Sequence, residues 1–259
     1  MTLKQPSSVV AAIIPWNVPL IMFAMKVGAA ITAKNAIIIK SSEKAPLTST
    51  LTRLQSFKMG SLIKQAQFPP GLINIISRHG HVTGKLLAKH LKICKIAFTG
   101  SIATRKKIMQ MAAASNLKNV TLELSRKSPA IIFADADLNM TAKATEFSIH
   151  QNSGQHYQAN SRIFVEESIL DKYIKKVTRL MQTSVLAYSK KRILNRELII
   201  KGKATKVNGK EAKIFKKEIF SPVLLVNTFK TEKDVITRAN NSEYRLFYIA
   251  FLYIQGSSH

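Results

Sequence analysis

Short apolar runs alternate with longer mixed segments along the first half of the chain. The runs are rich in β-branched residues and predict buried strands, whereas the segments between them have the spacing of helices. The predicted strands are residues 10–14, 36–40, 72–76, 93–98 and 120–124, and the predicted helices are residues 19–33, 48–67, 84–89 and 102–115. This alternation predicts an α/β fold in which helices cover both faces of a parallel sheet.

The alternation resumes after Ser125. Asp135 and Asp137 precede a predicted helix that ends near residue 150, and Ser168 is expected to cap the next one, because short polar side chains favour the N-cap. The remaining predicted elements are strands at 130–133, 161–165, 220–229 and 244–254, and helices at 168–182 and 231–240. Residues 186–217 are dense in Lys and predict no element.

Composition adds a core and an unusual charge to this picture. Hydrophobic residues make up 46% of the 259 residues, which excludes a generic disordered chain, while the net charge is +26. The single Cys excludes a disulfide framework and a cysteine-based zinc cluster, so no metal site is predicted. Pro15, Asn17 and Pro19 interrupt the apolar stretch 11–32, which argues against a membrane helix and for a cytoplasmic protein without a membrane partner.

Nine segments resemble, in order, the hallmarks of the NAD(P)-dependent aldehyde dehydrogenases. They are IIPWNVPL (13–20), IIIKSSEKAPLT (37–48), FPPGLINIIS (68–77), KIAFTGS (95–101), VTLELSRKSP (120–129), IIFADADL (131–138), NSGQHYQANSR (152–162), KEIFSPV (217–223) and RANNSEY (238–244). The resemblance implies a partial Rossmann-like cofactor domain at residues 1–124 and a partial α/β catalytic domain at 125–259. It also implies an aldehyde substrate, NAD or NADP as cofactor, and an oligomerisation arm that is largely missing from a truncated, degenerate member.

Family members attack the aldehyde with a cysteine thiolate, pass hydride to the nicotinamide, and release the acid with water activated by a glutamate. Asn17 matches the asparagine that binds the oxyanion, and Glu123 matches the glutamate. Each also has a purely structural interpretation, because Asn between two prolines is an ordinary turn residue and Glu123 can pair with a nearby Lys.

Tyr157 occupies the position that matches the catalytic cysteine. A phenol with a pKa near 10 is almost fully protonated at pH 7, and its ring would fill the space of the aldehyde. Cys94, far along the chain, is interpreted as a buried small apolar residue. The family's oxidation chemistry is therefore expected not to run in this chain.

The resemblance also supplies a set of cofactor contacts. Glu43 favours NAD, because a carboxylate binds the ribose diol and repels a 2′-phosphate. The matched positions are Lys40 and Glu43 at the adenosine ribose, Trp16, Gly100 and Ser101 near the pyrophosphate, and Glu218 and Phe220 on the nicotinamide side. Arg78 and Arg105 stand where the family has Gly, a residue used for positive φ or close backbone approach. Such departures fit a decaying gene copy.

Three interpretations remain open at this point. The chain is an inactive relative of the aldehyde dehydrogenases, a non-catalytic protein that still binds the cofactor, or a basic protein that binds polyanions. A net charge of +26 predicts non-specific, salt-sensitive contact with nucleic acid whatever the fold. No zinc-finger, RRM or helix-turn-helix signature accompanies that charge.

Overall fold

Parallel strands and helices alternate along both halves of the chain. This computed structural model describes residues 5–45, 55–124, 127–188, 198–201, 206–207, 210–211, 218–242 and 249–252. The chain divides into two compact units, Met1–Ser125 and Arg126–His259.

The described residues of the first unit form a parallel sheet with the strand order β3-β2-β1-β4-β5. The strands are β1 (Val9–Ile13), β2 (Ala36–Ser41), β3 (Ile73–Ser77), β4 (Lys95–Gly100) and β5 (Asn119–Leu124). The helices are α1 (Pro19–Thr32), α2 (Gln55–Gln65), α3 (Lys85–Lys89) and α4 (Ile102–Ala113), with a π-helical turn at Gly80–Gly84 before α3. The register is fixed by parallel pairs such as Val9 with Ala36 and Ile13 with Phe98.

Alternating residues of β1 face opposite sides of this sheet. Ala11 and Ile13 join the core that α3 and α4 cover through Leu87 and Ile108. The other face packs against α1, which begins at Pro19, where the missing N–H of proline costs no hydrogen bond. Helices therefore cover both faces, as the sequence pattern predicts.

The second unit repeats the plan with a parallel sheet whose described order is β12-β6-β7-β11-β8. Its strands are β6 (Pro129–Ile132), β7 (Arg162–Glu166), β8 (Leu198–Lys201), β11 (Val223–Phe229) and β12 (Ile249–Phe251), and β9 (Lys206–Val207) pairs with β10 (Lys210–Glu211) apart from it. Its helices are α5 (Leu138–His150), α6 (Leu170–Tyr188) and α7 (Glu232–Asn240).

The core of the second unit lies between its sheet and the helices α5 and α6. Tyr173 on α6 is fully buried there, and its hydroxyl lies 2.8 Å from the Thr145 hydroxyl on α5. The hydrogen bond satisfies a polar atom that would otherwise be costly to bury. On the opposite face, Phe229 packs edge-on against Phe133 beside the buried Val235 of α7.

The predicted α/β class with parallel sheets is confirmed, and the differences are local. Ser168 does not cap a helix: it lies in the 3₁₀ turn Glu167–Ile169, where its hydroxyl donates to Glu166, and α6 follows and extends to Tyr188. The prediction that Cys94 is buried is wrong, because it lies exposed just before β4. Predictions at residues 48–54, 244–248 and 253–254 lie outside the described residues.

Candidate functional site

A cleft of about 700 Å³ opens at the carboxyl edge of the first sheet. β1 and β4 are parallel neighbours, with β2 and β3 on one side and β5 on the other, so the direction in which successive strands are added to the sheet reverses between them. Such switch points are where parallel α/β sheets bind ligands. The cleft is lined, among others, by five of the predicted cofactor contacts, Trp16, Lys40, Glu43, Gly100 and Ser101.

Lys40 and Glu43 form an ion pair on one wall of this cleft. The Lys40 side chain is 2% exposed, and its Nζ lies 2.8 Å from Glu43 Oε2. The backbone N–H of Gly80 donates to Glu43 Oε1 at 3.3 Å. The hydrogen bond from Lys40, more than any other contact, lowers the pKa of Glu43 from 4.5 to about 2. An ionised carboxylate is thus held beside a buried ammonium, an arrangement that can bind a ribose diol.

The opposite wall is the start of α4. The Ser101 side chain caps this helix by accepting a hydrogen bond from the Thr104 N–H at 3.4 Å. Helix N-termini attract phosphate because their amides and their dipole point toward an anion. Gly100 lets the backbone pass close to the Phe98 ring, since a Cβ there would lie 2.8 Å from it. The Lys44 Nζ lies 6.0 Å from the centre of the Trp16 ring at the end of β1.

Asn17 and Glu123 lie at the same edge of the first sheet as this cleft. Asn17 is half-buried in the turn between β1 and α1, and Glu123 is half-buried near the carboxyl end of β5, in register with Thr99 of β4. Each makes contacts within the structure. The position of Glu123 at a strand end suits a group that acts on a ligand above the sheet.

Tyr157, Glu218 and Phe220 lie at the amino edge of the second sheet. Tyr157 precedes β7 and the other two precede β11, and these strands are parallel neighbours paired through Arg162 and Leu225. The two loops touch: a Cβ on Gly154 would lie 2.4 Å from the backbone carbon of Ser221. The fold therefore brings the predicted residues of the second unit together in adjacent loops.

The backbone of these two loops departs from ordinary geometry. Asn152, Ser153 and Gly154 have φ values of 52°, 56° and 69°, and Phe220 has a φ of 54°. Left-handed conformations at residues other than glycine carry strain, and such strain concentrates at functional sites. Arg78 and Arg105, by contrast, have no positive φ. The backbone conformation at these two positions, where the family has Gly, is therefore one that arginine can adopt.

Tyr157, at the position that the resemblance assigns to the nucleophile, lies against the imidazole of His156. The rings of His156 and Tyr157 are stacked, with centroids 4.7 Å apart and planes 19° apart. Burial lowers the pKa of His156 and so favours its neutral imidazole. Cys94 is the single cysteine of the chain, and it precedes β4. It therefore lies at the amino edge of the first sheet, one strand length or about 20 Å from the cleft.

The structure adds a buried cationic pair that the sequence pattern does not reveal. Lys127 is 2% exposed, and burial, followed by the charge of Arg162, lowers its pKa to about 8, whereas Glu218 acts in the opposite sense. Burial lowers the pKa of Arg162 to about 10. Arg162 donates to the carbonyls of Lys127 at 3.0 Å and of Ala239, at the end of α7, at 2.9 Å. The only sequence signal is that Lys127 lies two residues before the apolar strand β6.

A sequence profile described as "Aldehyde dehydrogenase family" matches residues 1–192 and 198–250. The chain belongs to the aldehyde dehydrogenase family. An aldehyde dehydrogenase of Agaricus bisporus is 38% identical over 93% of this chain and 54% of its own length. Human retinal dehydrogenase 2 is 38% identical over 96% of this chain and 54% of its own length. The chain thus spans about half the length of the curated relatives that it matches.

Solved aldehyde dehydrogenases have the same fold. A mutant of indole-3-acetaldehyde dehydrogenase AldA from P. syringae, in complex with NAD+ and IAA, aligns with a TM-score of 0.84 at 33% identity, over 96% of this chain and 57% of that one. PnpE in complex with nicotinamide adenine dinucleotide aligns with a TM-score of 0.84 at 27% identity, over 97% of this chain and 58% of that one. Among the described residues of this chain, no helix is long and apolar enough to span a membrane.

Proposed function

We propose that this chain is a dinucleotide-binding member of the aldehyde dehydrogenase family that does not perform the covalent step of aldehyde oxidation. In this proposal residues 1–124 bind NAD(P)+, and residues 125–259 are a catalytic domain without its nucleophile. One observation carries the proposal: the chain has a formed cleft in its first unit, but it has a tyrosine, Tyr157, at the position that the resemblance assigns to the nucleophile.

The residues present in the cleft fit a dinucleotide. Lys40 and Glu43 would hold the adenosine ribose through their fixed ion pair, and the Ser101-capped start of α4 would receive the pyrophosphate beside Trp16. In the second unit, Glu218 and Phe220 would provide the nicotinamide side. The bound cofactor supplies a nicotinamide ring that can accept hydride. What these side chains do is bind and orient it.

The chemistry fails at the attacking atom. Covalent capture of an aldehyde needs an anionic nucleophile, which a thiolate supplies readily near neutral pH. Tyr157 is a phenol, and burial lowers the pKa of the neighbouring His156, but this imidazole has no thiol to activate. Asn17 and Glu123 keep the side chains that the resemblance assigns to oxyanion binding and water activation. Without a hemithioacetal there is no oxyanion for Asn17 to stabilise, and no thioester forms for water activated by Glu123 to hydrolyse.

Two measurements on the full chain test this proposal. Calorimetric titration with NAD+ and with NADP+ should show saturable binding of at least one cofactor. A dehydrogenase assay with short aliphatic and aromatic aldehydes should show no reduction of the nicotinamide. Tyr157→Cys should restore measurable thiol-dependent turnover, while the matched variant His156→Cys, with the thiol one position away, should not. Turnover or a covalent acyl adduct in the unmodified chain would contradict the proposal.

A second candidate, non-specific binding of polyanions, rests on the surface charge. The net charge is +26, and Lys172 and Lys175 are exposed on the outer face of α6. Such binding to DNA should weaken steeply with salt and show no sequence preference. Salt-labile DNA binding without any dinucleotide binding would favour this candidate over the first.

A further inference from the structure

A second pocket of about 470 Å³ adjoins the dinucleotide cleft. It is lined by Glu43, Ser77, Arg78, His79 and Val82. Glu43 also lines the larger cleft, so the ribose-binding carboxylate separates the two cavities. A substituent that leaves the ribose on the Glu43 side therefore points toward this pocket.

We propose that this pocket takes the 2′-phosphate of the adenosine ribose, so that the chain binds NADP+ in preference to NAD+. The inference rests on the proposed dinucleotide binding and specifies which cofactor the cleft selects. A carboxylate at the ribose by itself predicts NAD, because it repels a phosphate. The contacts around Glu43 reverse this expectation.

The negative charge of Glu43 is balanced by the groups that contact its carboxylate. Its Oε2 lies 2.8 Å from the Lys40 Nζ, and its Oε1 accepts the Gly80 N–H at 3.3 Å. Both carboxylate oxygens are thus engaged by protein donors, and the paired ammonium offsets the negative charge. A phosphate next to this group meets an ion pair with little net charge.

Arg78 provides the attraction. Within the described part of the chain it has neither a hydrogen bond nor an ion pair, and it is exposed at the pocket wall. A guanidinium presents a planar fork of donors that matches two phosphate oxygens at once, and an arginine near the ribose accommodates a 2′-phosphate in other dinucleotide sites. Lys44, on the other side of Glu43 in the cleft, adds a further positive charge. The net charge around the pocket is therefore positive, which favours NADP+, the more anionic cofactor.

The test compares two pairs of ligands on the full chain. NADP+ is compared with NAD+, and adenosine 2′,5′-bisphosphate with AMP, by calorimetric titration at low and at moderate salt. We expect NADP+ to bind about tenfold more tightly than NAD+, with the same order for the fragments, and we expect added salt to reduce the ratio. Equal binding, or tighter binding of NAD+, overturns the inference and leaves the proposed dinucleotide binding intact. Failure of every ligand to saturate overturns both.

Variants then assign the preference to the pocket. Arg78→Gly should bring the NADP+/NAD+ ratio close to one, while Arg78→Lys should keep part of the preference. Lys107→Ala, a change at a residue that lines the larger cleft alone, should weaken both cofactors without changing their ratio. Circular dichroism of each variant checks that it is folded. A ratio unchanged in folded Arg78→Gly overturns the assignment to Arg78.

Discussion

Lys127 places a positive charge in the interior of the second unit, and one substitution can measure what this costs. Burial and the like charge of Arg162 lower its pKa from 10.5 to about 8, against the attraction of Glu218. Because one pKa unit corresponds to about 1.4 kcal/mol, the protonated ammonium destabilises the folded state by up to about 3 kcal/mol relative to the neutral amine. Lys127→Met removes the charge and keeps an unbranched chain of similar length.

The sign of the pH dependence follows from the lowered pKa. Below pH 8 the amine is protonated in both the folded and the unfolded state, so the penalty is fully present. Between pH 8 and 10.5 the unfolded state holds the proton and the folded state does not, so this group makes stability rise with pH. Lys127→Met should therefore raise the free energy of unfolding at pH 7 by about 1–2 kcal/mol, once the lost attraction to Glu218 is allowed for.

Urea denaturation at pH 7 and pH 10 measures both the gain and its pH dependence. Lys172→Met, which removes the same charge from the exposed face of α6, serves as the control for net charge. The difference in the free energy of unfolding between Lys127→Met and Lys172→Met should be largest at pH 7 and shrink toward zero at high pH. Equal stability of the two variants at pH 7, or a difference independent of pH, would refute the reasoning from burial.

Four further substitutions test packing and charge elsewhere in the chain. Gly154→Ala should cost at least about 2 kcal/mol in a urea melt, because its φ is 69° and a Cβ would lie 2.4 Å from backbone. Gly60→Ala, in a helix with open space around the position, should instead stabilise by about 0.5–1 kcal/mol, and a loss there would contradict this account. Tyr173→Phe should cost about 1–2 kcal/mol by the same assay, since the Thr145 hydroxyl loses its buried partner; a neutral effect would show that this bond contributes nothing. The lowered pKa of Glu43 predicts stability that is present above pH 4.5 and lost as pH falls toward 2. Glu43→Gln should abolish this loss of stability at acid pH. The loss is expected to be below about 1 kcal/mol, because the Glu43 side chain is 41% exposed. An unchanged dependence of stability on pH in the acid range would count against the ion pair.

The strands were predictable because their signal is local. A buried parallel strand needs a short apolar run, and residues 36–40 and 93–98 lie within two residues of β2 and β4. The edge at which the cleft forms follows from the strand order, since parallel strands direct their carboxyl ends to one side. Resemblance supplied the candidate contacts, and the fold places Lys40, Glu43 and Ser101 around one cavity.

Environment around single side chains was not predictable in the same way. Lys127 lies in the sequence among other cations, and only the packing of neighbouring strands shows that it is buried beside Arg162. Cys94 follows the buried Ile93 at the start of a predicted strand, yet its own side chain is exposed just before β4. Arg78 is unremarkable in sequence beyond its departure from glycine, and its significance comes from the pocket that it lines.

The two halves of the proposed function differ in how much they depend on single atoms. Dinucleotide binding draws on the ends of strands, on a helix start and on an ion pair between residues three apart, so each contribution is provided by backbone or by a local contact. No single substitution in the cleft removes all of these contributions to dinucleotide binding. In the proposed function, covalent catalysis draws on one sulfur atom, and a tyrosine at that position in the loop before β7 would remove the whole step at once. A chain that accumulates changes without selection for turnover is therefore expected to lose catalysis before cofactor binding. Saturable cofactor binding, together with turnover regained in Tyr157→Cys, would agree with that order.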